Sequence, residues 1–356
     1  MKNLIFKEKK LLLDLLIKSF QWHLNYFIKK TPRPLSCGIY LTSRCNFRCE
    51  FCNIWRKKDP VTLPLDRLKK IIDDLETAGC FYLSFSGGEP LIVDYFDDLL
   101  GYLAQSKIAY KHLVTNGYLL DKNVATRLAS SGLNEISISI DGEESFHDRR
   151  RGISGAWSKA LKAIENIKEF APKIKVVINT IFLPWDLRQI DTVLELSEKL
   201  DVYMKVQPIN KHPVFNKDNF SELPQETADC LGIKKITKKL KKSERIINSN
   251  AFLDAIYDFF CDKDNLILKN DKCLFGFHHL ELLETGEIFP CLEGMNWENG
   301  FDYRGQLKEI LSSNRYLNQL DELKTCQNCQ KSCYVCYYEP RIVFPLKNAI
   351  KHFLIK

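Results

Sequence analysis

No stretch of this chain is long and apolar enough to cross a bilayer, because its N-terminal apolar runs are broken by Asp14 and Lys18. For the same reason no secretory signal peptide is expected. Low-complexity segments are absent. One-sided charge is lacking too: 52 basic against 45 acidic residues leave a net +7. That excess mildly favours anionic partners or membrane surfaces and is too diffuse to argue for nucleic acid. The thirteen cysteines are an odd number, which argues against a simple disulfide framework and for metal ligation in a reducing, cytoplasmic compartment. At 356 residues, 45% apolar and 27% charged, the chain has room for a large domain and a smaller one.

What is present begins with Cys45-Asn-Phe-Arg-Cys49-Glu-Phe-Cys52, three thiols spaced x3 then x2. Such a loop can hold three corners of a cubane iron–sulfur cluster and leave the fourth iron open to a small molecule. Two other readings stand beside it. Structural zinc wants four ligands, and no neighbour supplies the fourth. Positions i, i+4 and i+7 also share one helical face, so packing is the other. Gly87-Gly88-Glu89-Pro90 follows a strand ending at Ser86. Its glycines let the backbone approach a ligand and Glu89 can hold an ammonium, although an ordinary strand-to-helix turn suits Gly-Gly equally well.

From about 36 to 210 strand and helix patterns alternate. Strands are predicted at Ser36–Thr42, Phe81–Ser86, Ala109–Thr115, Glu135–Ile140, Lys175–Leu183 and Tyr203–Pro208. Amphipathic helices fall between them at Leu65–Ala78, Tyr95–Gln105, Asn123–Ser131, Ala156–Phe170 and Leu187–Leu200. Six βα units imply an α/β fold, a partial (β/α)6 barrel with parallel strands, plus a small cysteine-rich C-terminal domain. In such folds chemistry collects at the C-terminal ends of the strands. The cysteine loop, Gly87–Pro90, Thr115-Asn116-Gly117 and Asp141-Gly142 all fall there. The expected division is a basic amphipathic helix over 1–33, the barrel over 34–212, a helical connector over 213–265, the cysteine-rich domain over 266–344 and an amphipathic basic tail over 345–356. The lysine-rich run 234–242 reads as a solvated helix face.

The cysteine triplet and Gly87–Pro90, followed in order by Thr115-Asn116-Gly117 and Ser137-Ile-Ser-Ile-Asp-Gly142, resemble the radical S-adenosylmethionine (radical SAM) superfamily over roughly 36–210. The resemblance implies that Cys45, Cys49 and Cys52 ligate a 4Fe–4S cluster and that Phe51 lies near the adenine of S-adenosylmethionine. It implies that Gly87, Gly88, Glu89 and Pro90 bind the methionyl amino group, and that Ser139 and Arg151 contact ribose and carboxylate. Asn116, Asn179 and Gln207 are further candidates, while His147 and Asp148 are expected to shape their loop. It implies reductive cleavage of the sulfonium to a 5′-deoxyadenosyl radical that removes hydrogen from an inert C–H bond, fed by a low-potential donor of flavodoxin or ferredoxin type.

Further on, Cys273-x12-Gly286-x4-Cys291 precedes Cys326-x2-Cys329-x3-Cys333-x2-Cys336. After a radical SAM domain this set is similar to the SPASM or shorter twitch extensions, which implies one or two auxiliary iron–sulfur clusters. It departs from the full pattern: two four-thiolate clusters need eight cysteines and six lie here. A zinc knuckle is the other reading of the last four. Cys37, Cys80, Cys230 and Cys261 are expected to be small apolar core residues.

Members of that group often modify peptides or proteins, which makes a peptide the first expected substrate. No peptide-binding segment is recognisable before residue 36. Instead residues 4–30 form a helix on which Leu13, Leu16, Phe20, Leu24 and Phe27 recur among lysines, with Trp22 at its middle. Such a helix either packs on the barrel or lies on an anionic membrane, which leaves room for a small, lipid, isoprenoid or sugar-linked substrate and for peripheral membrane contact through both termini. A non-catalytic multi-cluster electron carrier is a third reading, and the amino-acid-binding rim argues against it.

Overall fold

Alternating apolar patterns become alternating elements. The computed structural model describes residues 9–29, 32–209, 228–262, 273–293, 300–328, 333–336 and 339. Helix α1 (Lys9–Lys29) leads into β1 (Ser36–Thr42), α2 (Leu65–Thr77), β2 (Tyr82–Gly87), α3 (Phe96–Gln105), β3 (Tyr110–Thr115), α4 (Lys122–Leu128) and β4 (Glu135–Ser139). There follow α5 (Glu144–Arg151), α6 (Ala156–Phe170), β5 (Lys175–Phe182), α7 (Arg188–Lys199) and β6 (Tyr203–Pro208). The predicted strands and helices stand to within a few residues. Helix α5 is additional: its triple arginine reads as a loop, yet Phe146, His147, Arg150 and Arg151 are buried.

The reason for the layering is visible in single elements. Helix α2 buries Leu68, Ile71, Ile72 and Leu75, spaced i, i+3, i+4 and i+7. Strand β4 is buried at all five positions, as a strand covered on both faces must be. The strands stand in the order β6-β5-β4-β3-β2-β1, every neighbour parallel.

The cysteine-rich region does not begin as a separate layer. Its first strand, β7 (His279–Leu282), follows the short α10 (Phe275–His278) and pairs in parallel with β1 through Ser36–His279 and Gly38–Glu281. Strands β8 (Glu287–Phe289) and β9 (Phe301–Asp302) then extend the sheet antiparallel. Helices α11 (Leu307–Ser312) and α12 (Asn314–Lys324) follow.

Helices α8 (Cys230–Lys242) and α9 (Asn250–Cys261) come between β6 and this region. Helix α8 buries Ile233, Ile236 and Leu240 and turns Lys234, Lys235, Lys238 and Lys239 outward, as the solvated-face reading expects. Two cysteines depart from expectation. Cys230 and Cys261 form a disulfide with Cα atoms 5.7 Å apart, because the start of α8 lies beside the end of α9. Cys37 and Cys80 are free and buried in the main core, as expected.

Helix α1 lies across the N-terminal ends of the strands. Leu15 packs with Phe81 and Tyr110, Lys18 donates to the Cys80 carbonyl at 3.4 Å, and Trp22 Nε1 donates to the Phe277 carbonyl at 3.1 Å. Trp22 is therefore an anchor to the barrel and not a membrane contact. Among the described residues no helix is long and apolar enough to cross a membrane.

Candidate active site

The loop 45–52 is held by main-chain hydrogen bonds from three sides. Gly88 N donates to Thr42 O at 2.6 Å and Glu89 N to Arg44 O at 2.9 Å. Arg48 N donates to Arg151 O at 3.2 Å and Glu50 N to Arg150 O at 3.0 Å. Two glycines make these approaches possible. A Cβ on Gly88 would sit 2.0 Å from Arg44 O, and one on Gly152, whose φ is +68°, would sit 2.4 Å from Arg48 O. Asn116 Nδ2 donates to Asn46 Oδ1 at 2.8 Å, and Phe47 packs edge-on against Tyr118, which ties the loop to the end of β3.

Cys45, Cys49 and Cys52 sit together in a small apolar cluster with Phe47, Phe51 and Ala156. Burial pushes the Cys45 and Cys52 thiols up to about 12 and raises Cys49 as well. Arg151 beside Cys49 works against that rise. Thiolates here need a cation to compensate for lost water. Three cysteine thiols gathered on one loop are a donor set that fits a cubane, which takes each thiolate at a separate corner.

A cavity of about 470 Å³ opens behind the loop and runs through the barrel. Of the predicted residues, Cys45, Cys49, Cys52, Phe51, Gly87, Gly88, Asn116, Ser139, Arg151, Asn179 and Gln207 line it. Glu89 and Pro90 do not. The Glu89 carboxylate accepts from Leu91 N at 3.1 Å, Thr115 Oγ1 at 2.6 Å and Asn116 N at 2.8 Å, and burial raises its pKa. Arg151 is held by Asp141 in a two-pronged pair, Nε to Oδ2 at 2.7 Å and Nη2 to Oδ1 at 3.0 Å. Burial alone would raise the Asp141 carboxyl, but the Arg151 and Arg150 guanidiniums hold it below the ordinary range.

Asp148 and His147 serve the scaffold, and Gln207 ties the cavity wall to the C-terminal region. Asp148 accepts from Gly155 N and Trp157 N at the start of α6, and His147 Nδ1 accepts from Asp141 N, so both shape the loop as expected. Gln207 Nε2 donates to Cys333 O at 3.0 Å and its Oε1 accepts from Val335 N at 2.9 Å, which spends the amide on the C-terminal region.

Sequence reasoning missed the lower half of the cavity. His112, Glu135, Lys205, His279 and Glu281 line it, where barrel interiors ordinarily carry Val, Ile and Leu. Tyr82 Oη and Ser84 Oγ lie 2.8 and 2.9 Å from His112 Nδ1, and Ser137 Oγ lies 2.8 Å from Nε2. Burial keeps this imidazole neutral, pushing its pKa down to about 3. Tyr110 Oη donates to Glu135 at 2.7 Å, and His279 Nε2 lies 3.0 Å from Glu281. Lys205 lines the cavity with no hydrogen bond or ion pair among the described residues, and burial lowers its pKa. The available signal was an ionisable residue inside three of the predicted strands, His112, Glu135 and Lys205.

In the C-terminal region Cys273, Cys291 and Cys333 are buried and Cys326 half-buried. Cys273 N donates to Lys324 O at 3.2 Å and Asn328 Nδ2 to Glu293 O at 2.6 Å, which draws the Cys273, Cys291 and Cys326 segments together. Cys336 instead lines the barrel cavity, within electrostatic reach of Glu281 and Lys205. Cys329 lies outside the described residues, as does the tail 345–356.

A parallel α/β sheet with a three-thiol loop at the C-terminal ends of its strands, opening on an internal cavity, defines a barrel-type cofactor protein. Residues 39–197 match the Radical SAM superfamily and form a radical SAM domain, and a cysteine-rich region follows that domain. The cofactors of that superfamily are a 4Fe–4S cluster and S-adenosylmethionine. It is similar to Fe-coproporphyrin III synthase of Methanosarcina barkeri, 32% identical over 45% of this chain and 40% of that protein. It is also similar to the mycofactocin maturase MftC of Mycobacterium tuberculosis, 29% identical over 51% of this chain and 46% of that one. The match thus spans less than half of either relative's length. The fold is that of SuiB from Streptococcus suis, solved with the precursor peptide SuiA and with S-adenosylmethionine. The SuiA complex superposes with a TM-score of 0.66 at 16% identity, over 89% of this chain and 74% of SuiB.

Proposed function

We propose that this chain cleaves S-adenosylmethionine reductively and directs the resulting radical at a C–H bond of a substrate held in the barrel cavity. The observation that carries the reading is the opening of three thiols, the Gly87–Gly88 main chain, Ser139, Asn179 and Arg151 on one cavity. Cys45, Cys49 and Cys52 would hold the cluster, which when bound supplies the electron that splits the sulfonium–carbon bond. Gly87 and Gly88 offer main-chain groups to the methionyl amino group. Arg151, held by Asp141 and beside Cys49, sets its guanidinium against the carboxylate. Ser139 and Asn179 face the ribose, Phe51 the adenine, and Asn116 fixes the loop. Glu89 braces the rim instead of gripping the ammonium, because three protein donors already occupy it. Lys205 anchors an anionic group of the substrate lower in the barrel. An auxiliary cluster draws on Cys273, Cys291, Cys326 and Cys333, and a flavodoxin or ferredoxin supplies electrons.

The substrate class we favour is a peptide, since relatives include a maturase and a protein solved with its precursor peptide. A lipid-linked substrate is the second reading, favoured by the exposed apolar side chains of α1. The test is anaerobic reconstitution with iron and sulfide followed by assay of 5′-deoxyadenosine under dithionite. Replacing Cys45, Cys49 and Cys52 by Ala abolishes the product while far-UV circular dichroism is unchanged; product from the triple variant refutes the assignment.

A further inference from the structure

Helix α1 has two apolar faces, and the barrel uses only one. Leu15 and Trp22 are buried on the sheet side. On the opposite side Leu13, Leu16, Ile17, Phe20, Leu24 and Ile28 are exposed, Phe20 at 64% and Ile28 at 69%. Six of the nine exposed large apolar side chains among the described residues stand on this one helix, so the patch is not the ordinary scatter of surface hydrophobes. Their spacing makes a single stripe, about 22 Å long at the rise of an α-helix.

We infer that the outward face of α1 is a docking surface for an anionic lipid bilayer. The charge pattern selects this occupant. Helix α1 begins with Lys9-Lys10 and ends with Lys29, and its only acidic residue is Asp14. By helical position Lys9 and Lys10 fall on the stripe side and Lys29 on the sheet side, so a second copy would set lysines against lysines when parallel and against Leu24 and Ile28 when antiparallel. Anionic headgroups neutralise the Lys9-Lys10 end while the stripe enters the boundary between headgroups and acyl chains. Trp22 fixes the helix to the barrel through Phe277, so the docked helix carries the whole molecule. The bilayer then lies under the N-terminal ends of the strands, and the cysteine rim faces water. Leu15 and Ser19 of the same helix also line the barrel cavity, which places the floor of that cavity next to the lipid surface.

The test uses the full-length chain, cluster-loaded and with matched iron content, in co-sedimentation with phosphatidylglycerol–phosphatidylcholine vesicles and with phosphatidylcholine alone. Binding to the anionic vesicles is expected, with at least about a tenfold loss in the double variant Phe20→Glu/Ile28→Glu and a comparable loss in high salt. An unchanged yield of 5′-deoxyadenosine from the double variant shows that it is folded and separates this result from the fate of the radical reading. Equal pelleting of wild type and variant overturns the proposal, as does no pelleting of either. So does a salt-resistant dimer of the wild type that the double variant abolishes, because the stripe would then be covered by a second copy.

Discussion

Arg151 depends on Asp141, and Asp141 depends on burial. Removing one partner of a buried, doubly bonded pair typically costs about 3–5 kcal/mol, because the other charge is left unpaired. Asp141→Asn is therefore expected to lower unfolding free energy by about 3 kcal/mol in denaturant titration and to weaken S-adenosylmethionine binding. A stable variant with normal affinity would remove Arg151 from the site. Glu89→Ala strands the Thr115 hydroxyl and the Asn116 and Leu91 amides. Its main effect is expected in stability, about 1–3 kcal/mol; loss of cofactor affinity without loss of stability would return Glu89 to ammonium binding. If Lys205 anchors an anionic substrate group, Lys205→Met is expected to leave substrate-free cleavage of S-adenosylmethionine within about twofold while abolishing product from the true substrate; product at the wild-type level would leave Lys205 as a partner of Glu135 alone. The thiols and glycines were legible as motifs because spacing alone marks them. Asp141 as a partner, and the charges of the barrel interior, were not legible as a site because strand register decides which side chains converge.

At the scale of elements, α1 is a clamp on the barrel end. Trp22→Ala removes a buried indole and its bond to Phe277, a class of change that costs about 3–5 kcal/mol. Limited proteolysis is expected to cut the variant near residues 30–34 much faster than the wild type; equal rates would mean that α1 is held by other contacts. The periodicity of residues 4–30 announced a helix and left both packing and membrane contact open. The structure divides them: Leu15 and Trp22 turn inward while Phe20 and Ile28 turn outward. Helix α5 went unread because its arginines are buried through Glu50 and Asp141, partners distant in sequence.

Across the whole molecule, buried neutral imidazoles set the acid limit. Burial pushes His112 down to about 3 and His147 to about 4, against about 6.5 in an unfolded chain. Below about pH 6.5 the unfolded state binds protons that the folded state refuses, so stability falls as pH falls. Denaturant midpoints are expected to decline steadily from about pH 7 to about pH 5, a window above the ordinary carboxylate range. A flat profile there would mean that these rings protonate without unfolding.

By itself the sequence determined the βα alternation, the thiol loop and the glycine-rich turn, because hydrophobic period and ligand spacing are local properties of a chain. Only the tertiary structure decided that the cysteine-rich region lends β7 to the barrel sheet, that Cys230 reaches Cys261, and that Cys336 faces the barrel cavity. It also decided that Lys205 faces the cavity with Glu135 and Glu281. These depend on which distant segments meet, and contacts of that kind are fixed by packing and register, which no local pattern encodes.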